Sequence, residues 1–312
     1  MNPTKSIRAA RGPKVSLDPL RPYAVTVEPE RTEAGAVEQV LTVFLTNSEC
    51  PFTCLMCDLW THTLDVPLTP GQILAQLDHA IQQADGARHI KLYNAGNFMD
   101  SRAIPVADRR EIAQRLDGFD TVIVENHPRL CTQAVAEFAA MLSGDLEVAM
   151  GLETVHPQVL PRLNKQMTLE DFSAAAERLL GWGISVRAFV LLGLPWVPSD
   201  EFVSWAVRSV DWARTAGCRV SAVIPTRAGN GVMDSLALLG HFTAPTLAQM
   251  EAVQTLALPL PGEGRCFVDL WDAGRFADCG DCREERIARI HRINLSQTLE
   301  PGIECSSCAH AN

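Results

Sequence analysis

The sequence predicts an α/β protein built on a parallel sheet, and three observations carry that prediction. From Val37 onward, six apolar, β-branched segments alternate with helical patterns, the order expected when each strand returns through a helix to lie parallel to the last. At 312 residues the chain is long enough for one large α/β domain or two smaller ones, with a substantial core. Cys50, Cys54 and Cys57 follow the first of these strands at once, beyond the carboxyl end where α/β folds assemble their sites. The pattern favours a barrel or a partly open barrel.

The elements follow in order. Residues 1–35 read as a basic and polar arm. Lys5, Arg8, Arg11, Lys14 and Arg21 stand against Asp18 alone, so residues 1–21 carry +4 and the remainder −14 of a net −10. A solvated tail is the plainer reading of this arm, and contact with RNA or an acidic partner is the other. The run Val37–Leu45 is rich in β-branched and apolar residues, reads as a strand, and breaks at Asn47-Ser48. Thr69 as N-cap with Pro70 at the first helical position opens a helix whose apolar face is Ile73, Leu74, Leu77, Ala80 and Ile81. A strand over 89–95, a helix over 106–116, a strand over 121–127, a helix over 131–142 and a strand over 146–153 continue the rhythm. Thr168 and Asp171 resemble a capping box ahead of Leu169, Phe172, Ala176, Leu179 and Leu180, and a strand over 185–193 follows. A helix over 202–213 and a strand over 219–226 complete the series. Beyond Ala228 the pattern blurs into Gly229-Asn230-Gly231, a helix over 246–256, a short strand over 266–271 and a Cys-rich tail. The division expected is an arm (1–35), a barrel (36–260) and a C-terminal Cys-rich extension (261–312).

Composition narrows the function classes. With 47% hydrophobic and 21% charged residues the chain has the makeup of a folded soluble protein, and no apolar run approaches the length of a membrane span. The first residues lack the apolar stretch of a secretory leader, so a cytoplasmic protein without membrane contact is expected. In that compartment ten cysteines serve as ligands, buried thiols or reactive groups rather than disulfides. Cys131, Cys218 and Cys266 read as buried structural thiols. A net charge of −10 argues against a surface built throughout to grip nucleic acid.

The spacing C-x3-C-x2-C lets three thiolates from one loop converge on one cluster, whereas a 4Fe-4S cube has four irons to ligate. One iron is left open for a substrate or cosubstrate, as catalytic zinc sites keep one position free. The bland alternative is a zinc knuckle or a fortuitous trio. Two further pairs, Cys279-x-x-Cys282 and Cys305-x-x-Cys308, form a second metal signal in the tail, for zinc or for an auxiliary iron-sulfur cluster.

The cysteine loop placed after a strand resembles the signature of the radical S-adenosylmethionine (radical SAM) enzymes. The strings Asn47-Ser48-Glu49-Cys50-Pro51, Cys57-Asp58-Leu59-Trp60, Lys91-Leu92-Tyr93-Asn94, Val124-Glu125-Asn126-His127-Pro128 and Gly151-Leu152-Glu153-Thr154-Val155-His156-Pro157 are similar to the archaeosine-biosynthesis members of the Elongator-type group. The resemblance implies a partial (β/α)6 barrel, a 4Fe-4S cluster on Cys50, Cys54 and Cys57, and S-adenosylmethionine chelated at the open iron. It further implies reductive cleavage of that cosubstrate to a 5′-deoxyadenosyl radical that abstracts hydrogen from an unactivated carbon. Archaeosine enzymes act with a partner that attaches lysine to a deazaguanine base in tRNA, and cleave the lysine-derived substituent to a formamidine.

Site residues carry over position by position. Asn94, Gly96 and Asn97 stand where the family's Gly-Gly-Glu motif holds the methionine ammonium; the Glu itself is absent. Glu153 corresponds to a contact near the ribose or methionine, and Lys165 to a cation for the carboxylate. Arg187 would serve the carboxylate or ribose, Gly193 the close approach of adenosine, and Met56 the adenine ring. Glu125, His127, Thr226 and Arg227, at strand ends, are the candidate substrate contacts, with Trp196 at the mouth as part of a lid. A reductant such as flavodoxin or ferredoxin is implied, with a partner enzyme delivering a modified base; direct tRNA binding stays open. Small-molecule tailoring by the same chemistry is the alternative, and a noncatalytic metal-binding interaction module the alternative from another class.

Overall fold

The six expected strands form where the β-branched runs place them; the computed structural model, which describes residues 3–308, adds an unexpected strand at one edge and places the short strand expected at 266–271 at the other, over Arg265–Val268. The ends of the two terminal segments, residues 1–2 and 309–312, lie outside the described residues. The sheet has eight strands in chain order: β1 (Ala24–Arg31), β2 (Val37–Leu45), β3 (His89–Asn94), β4 (Thr121–Glu125), β5 (Asp145–Glu153), β6 (Ser185–Leu192), β7 (Val220–Pro225) and β8 (Arg265–Val268). β1 runs antiparallel to β2, and every other neighbouring pair is parallel. The sheet is curled into a half-barrel. Arg187 on β6 reaches Glu30 on β1 at 2.7 Å, whereas five strand spacings in a flat sheet would part them by roughly 24 Å.

Alternation along the strands sorts the side chains. Leu41, Val43, Leu45, Ile90, Leu92, Val122, Val124, Val148 and Met150 face outward into the main core beneath the helices. Lys91, Tyr93, Glu125, Glu147, Arg187 and Phe189 alternate with them and face the lumen.

The helices are α1 (Pro3–Ala9), α2 (Gln72–Ile81), α3 (Arg109–Arg115), α4 (Gln133–Ala139), α5 (Leu169–Gly181), α6 (Phe202–Thr215), α7 (Val232–Leu238), α8 (Leu247–Ala257) and α9 (Arg283–Ser296). The capping box at α5 is present, with Asp171 N–H on Thr168 Oγ1 and Thr168 N–H on the Asp171 carboxylate. α2 differs from expectation. Thr69 does not cap it; the helix begins after Gly71, whose N–H is taken by the Asp108 carboxylate at 2.9 Å. α4 starts at Gln133 rather than Cys131, because Pro128–Leu130 first forms a 3-10 turn.

Two larger differences concern the chain ends. Residues 3–31, read as a solvated arm, are folded: β1 is an edge strand, and Ile7 of α1 is buried against Leu55, Met233 and Phe242. Gly231 has φ +84, and a Cβ there would overlap the Ala10 carbonyl, so the arm lies close over that loop. In the tail, β8 joins the sheet within the range assigned to the extension. α9 then packs across the open seam between β1 and β8. Arg31 donates to the Leu295 carbonyl at 3.3 Å, while Asn294 and Gln297 bond the backbone of Val268 and Cys266. No helix among the described residues is long and apolar enough to cross a membrane.

Candidate active site

The loop carrying Cys50, Cys54 and Cys57 leaves β2 at the carboxyl edge of the half-barrel and is held by side chains that reach its backbone. Asn164, in the left-handed region at φ +53, donates to the Thr53 carbonyl at 2.7 Å. Asn230 donates to the carbonyls of Leu55 at 2.8 Å and Cys57 at 3.2 Å, and Leu55 N–H donates to Leu163 O at 2.8 Å. Asn97 donates to Cys50 Sγ at 3.3 Å and accepts His127 N–H at 2.7 Å. All ten cysteines are unpaired.

Burial pushes the Cys54 thiol up to about 11 and Cys57 higher still, with Cys54 and Asp58 adding to the rise at Cys57. Three neighbouring thiolates therefore need positive charge beside them to ionise together. Lys165 supplies one such charge. Burial by itself would lower its pKa, but Glu153 and the thiols of Cys54 and Cys50 outweigh that and hold the ammonium charged. Its Nζ lies 2.6 Å from Glu153 Oε1, and both side chains are at most 10% exposed. A bulge in β5 between Gly151 and Glu153, with Glu153 at φ +64, accompanies this pairing. A Cβ on Gly151 would overlap the ends of both partners, so a larger residue there would displace the ion pair.

Around the loop lie buried polar atoms with no protein partner: Asn47 Oδ1, Ser48 Oγ, Thr53 Oγ1, and both amide atoms of Asn94. The Asn94 amide lies at Gly96, where a Cβ would sit 3.3 Å from Asn94 Nδ2, 3.9 Å from Cys50 Cα and 3.2 Å from Asn47 Nδ2, which itself donates to the Ser48 carbonyl. An orphaned buried polar group costs about 1–3 kcal/mol. Donors and acceptors crowded beside a thiolate loop therefore fit a ligand that carries both an amine and a carboxylate.

Other predicted residues are placed differently. Arg187 points to the amino-terminal end of the barrel, away from the cysteine loop. It donates to Glu147 at 2.5 Å and Glu30 at 2.7 Å, in a buried network that Lys91 joins through Glu30. His127 has both ring nitrogens on backbone: Nε2 donates to Lys165 O at 2.9 Å, and Arg129 N–H donates to Nδ1 at 3.2 Å. Its ring stacks on Phe52 at 3.7 Å, and burial, aided by Lys165, brings its pKa down to about 4. Gly193, at φ +90, makes room for Pro245, whose Cδ would lie 2.6 Å from a Cβ. Met56 packs between two small apolar clusters containing Leu55 and Leu163, beside Trp196. Trp196 itself has φ +63 and carries Arg162 over its ring at 3.5 Å.

The lumen keeps several candidates. Glu125 accepts Asn94 N–H at 3.2 Å, and burial, although part of its surface faces the lumen, raises its pKa to about 8. Thr226 Oγ1 is buried without a partner. Arg227 is engaged by Asp269 at 3.5 Å and by the Trp271 carbonyl. Phe44, Tyr93 and Phe189 meet as edge-on aromatic pairs in the wall. Tyr23 was missed: its ring lies against Phe44 at 5.6 Å and stacks on His62 at 4.9 Å, and burial raises its hydroxyl, with Glu125, Asp58 and Cys57 adding to the rise. Asn230 and Asn164 were also missed as loop anchors; their only sequence signals were a Gly-Asn-Gly triplet and an Asn before Lys.

In the tail, Cys279, Cys282, Cys305 and Cys308 bring their sulfurs within 4.8 Å of one another. Cys282 and Cys308 are 3.6 Å apart.

Comparison with known proteins agrees with this layout. The radical SAM superfamily profile matches residues 45–208. Archaeosine synthase subunit beta of Methanosarcina acetivorans is 23% identical over 225 residues, covering 68% of this chain and 65% of that protein. An uncharacterised protein of Methanocaldococcus jannaschii is 22% identical over 229 residues, covering 69% and 63% respectively. The chain thus spans a little under two thirds of the length of these curated relatives. Among solved structures, methylornithine synthase (PylB) superposes with a TM-score of 0.54 at 14% identity, covering 82% of this chain and 69% of that one. Elp3 of Methanocaldococcus infernus gives 0.52 at 14% identity, covering 74% and 62%. These two likenesses bear on the fold, which is the half-barrel described above. With over half of its length inside the family's span, this chain belongs to the radical SAM superfamily and is an enzyme of it.

Proposed function

We propose that Cys50, Cys54 and Cys57 hold a 4Fe-4S cluster, that S-adenosylmethionine binds at the iron they leave open, and that the substrate is a modified base of the archaeosine kind or a close relative. The observation that carries this reading is that Asn47 and Ser48 before the three-cysteine loop, Thr53 within it and Asn94 beside it all keep buried polar atoms without a protein partner. When bound, the cluster and cosubstrate supply reductive cleavage to a carbon-centred radical, chemistry that side chains cannot perform.

The chain's own residues do the rest. Asn94 offers an acceptor for an ammonium and a donor for a carboxylate. Lys165 offsets the charge of the thiolates, and Glu153 fixes its position. Glu125, carrying a proton near neutral pH, is able to donate a hydrogen bond into the lumen as well as accept one. The aromatic wall of Phe44, Tyr93 and Phe189 keeps water from the reacting carbon.

The substrate class is supported by likeness to a protein named archaeosine synthase subunit beta. Delivery by a partner enzyme, or as a small molecule, suits a chain that carries −14 outside its first 21 residues. In this reading the enzyme works in the cytoplasm with flavodoxin or ferredoxin as its reductant. Zinc is the metal of the tail. A tetrahedral ion with Zn–S bonds of about 2.3 Å sets its sulfurs about 3.8 Å apart, a spacing compatible with the 3.6 Å between Cys282 and Cys308 and with all four sulfurs lying within 4.8 Å of one another. A cube spreads its ligands over separate irons.

Anaerobic reconstitution tests the central claim. Wild-type protein given dithionite is expected to convert S-adenosylmethionine to 5′-deoxyadenosine, and Cys54→Ala to lose both the cluster and the reaction. Normal cleavage by a well-folded Cys54→Ala protein would overturn the assignment.

A further inference from the structure

The folded arm does more than cover the cysteine loop. Between them lies a cleft of about 380 Å³ lined by Arg8, Arg11, Lys14 and Arg102 together with Glu49, Cys50, Pro51 and Trp60. Here the outer surface reaches a cluster cysteine without passing through the lumen. Four cations line the cleft against one carboxylate. With Asp65 and Asp100, which pair Lys14 and Arg102 at the rim, the surroundings remain net positive on a chain of −10.

Glu49 organises these cations. Its carboxylate takes Arg11 at 2.7 Å, Lys14 at 3.1 Å and Arg8 more loosely at 3.8 Å. Arg11 lies over Trp60 at 4.8 Å and is almost buried, whereas the side chains of Arg8 and Arg102 are 55% and 51% exposed. Two exposed guanidinium groups thus flank a concavity whose shape is fixed from beneath.

We infer that this cleft is the docking site of the electron donor, a small acidic one-electron carrier protein of the flavodoxin or ferredoxin class. The inference rests on the cluster assignment made above. Reduction of the sulfonium takes one electron from the cluster, which the carrier restores as it is oxidised; no proton or other group need cross. Electron transfer slows steeply with distance, so the donor has to approach the cysteine loop from outside, and Cys50 stands in the wall of this cleft. Acidic groups around the carrier's redox centre complement Arg8 and Arg102 and steer the encounter. An RNA strand is less well matched, because it calls for a track of cations along its phosphates, and here a carboxylate sits at the centre of a single concavity.

The reconstituted holoprotein and its Arg8→Glu/Arg102→Glu variant, with Arg8→Ala and Arg102→Ala as milder controls, provide the test. Binding of oxidised flavodoxin is titrated at low and high salt, and 5′-deoxyadenosine formation is followed with reduced flavodoxin and, separately, with dithionite. The charge reversal should weaken flavodoxin binding about tenfold at low salt and slow carrier-driven turnover by a similar factor, with smaller losses in the alanine variants. Dithionite-driven turnover should stay at the wild-type level. Unchanged flavodoxin affinity in all three variants would overturn the inference, as would equal losses with both reductants in variants that melt like wild type. Bare tRNA binding that falls in the variants while carrier-driven turnover holds would overturn it too, giving the cleft to phosphates. Wild-type protein that binds flavodoxin in this cleft yet cleaves no S-adenosylmethionine with dithionite would instead sink the proposed chemistry and leave the docking site standing.

Discussion

At Lys165 one ammonium answers the Glu153 carboxylate and two thiols of the cysteine loop. Removing one member of a buried pair strands the other, at a typical cost of about 3–5 kcal/mol. Lys165→Met is therefore expected to lower stability by that order, and Glu153→Gln/Lys165→Met to recover part of the loss in thermal melts of the metal-free protein. In reconstituted protein the same single change should move the cluster potential downward, because a positive charge that favours the more negative, reduced state is gone; redox titration reads this directly. His127 gives a pH signature. Its folded pKa of about 4 lies below the ordinary 6.5, so its contribution is complete above pH 6.5 and is lost as pH falls toward 4. Denaturant titrations from pH 4 to 8 should show a shallower acid limb for His127→Gln than for wild type. The placing of the three-cysteine loop directly after β2 was legible because its signal is local spacing. The partners of Arg187 were not: Glu30 stands 157 residues away in a segment whose charges suggested a tail.

At the scale of elements, what could be read depended on whether a segment buries a periodic face. β2 to β7 carry runs of Val, Ile and Leu that announce buried parallel strands, and they form within a residue or two of the predicted limits. β1 also alternates, with Val25 and Val27 against the core and Glu28 and Glu30 on the other face, but Pro29 and its charges obscured it. Proline is tolerated there because β1 is an edge strand. α9 has Ile290 and Ile293 in the core with Ile287 packed against it, a helical period hidden between two cysteine pairs. The arm gives the sharpest test at this scale. Gly231→Ala would drive a Cβ into the Ala10 carbonyl at a position where φ is +84, so the arm should lift. Limited trypsin digestion is expected to cut at Arg8 and Arg11 several-fold faster in this variant, with the circular dichroism of the barrel unchanged; equal protection would show that the arm is held elsewhere.

For the whole molecule, the open seam of the half-barrel sets the terms on which a metal held by the tail cysteines would matter. The cysteine cluster knots the start of α9 to residues 305–308, and α9 in turn lies over β1 and β8. One zinc per chain is expected by elemental analysis, with Cys282→Ser losing it and melting several degrees lower while the iron of the first loop is retained. Iron and sulfide lost from the tail variant instead would show that a second cluster occupies the site. Freed of α9, β1 and β8 would each present a row of unpaired amides and carbonyls, ready templates for the strands of another copy. Stripping the metal should therefore be felt first as self-association: a chelated sample that keeps its helix content yet grows concentration-dependent, β-rich oligomers, in which the clasp at the far end of the sequence is what keeps the barrel from finishing itself on its neighbours.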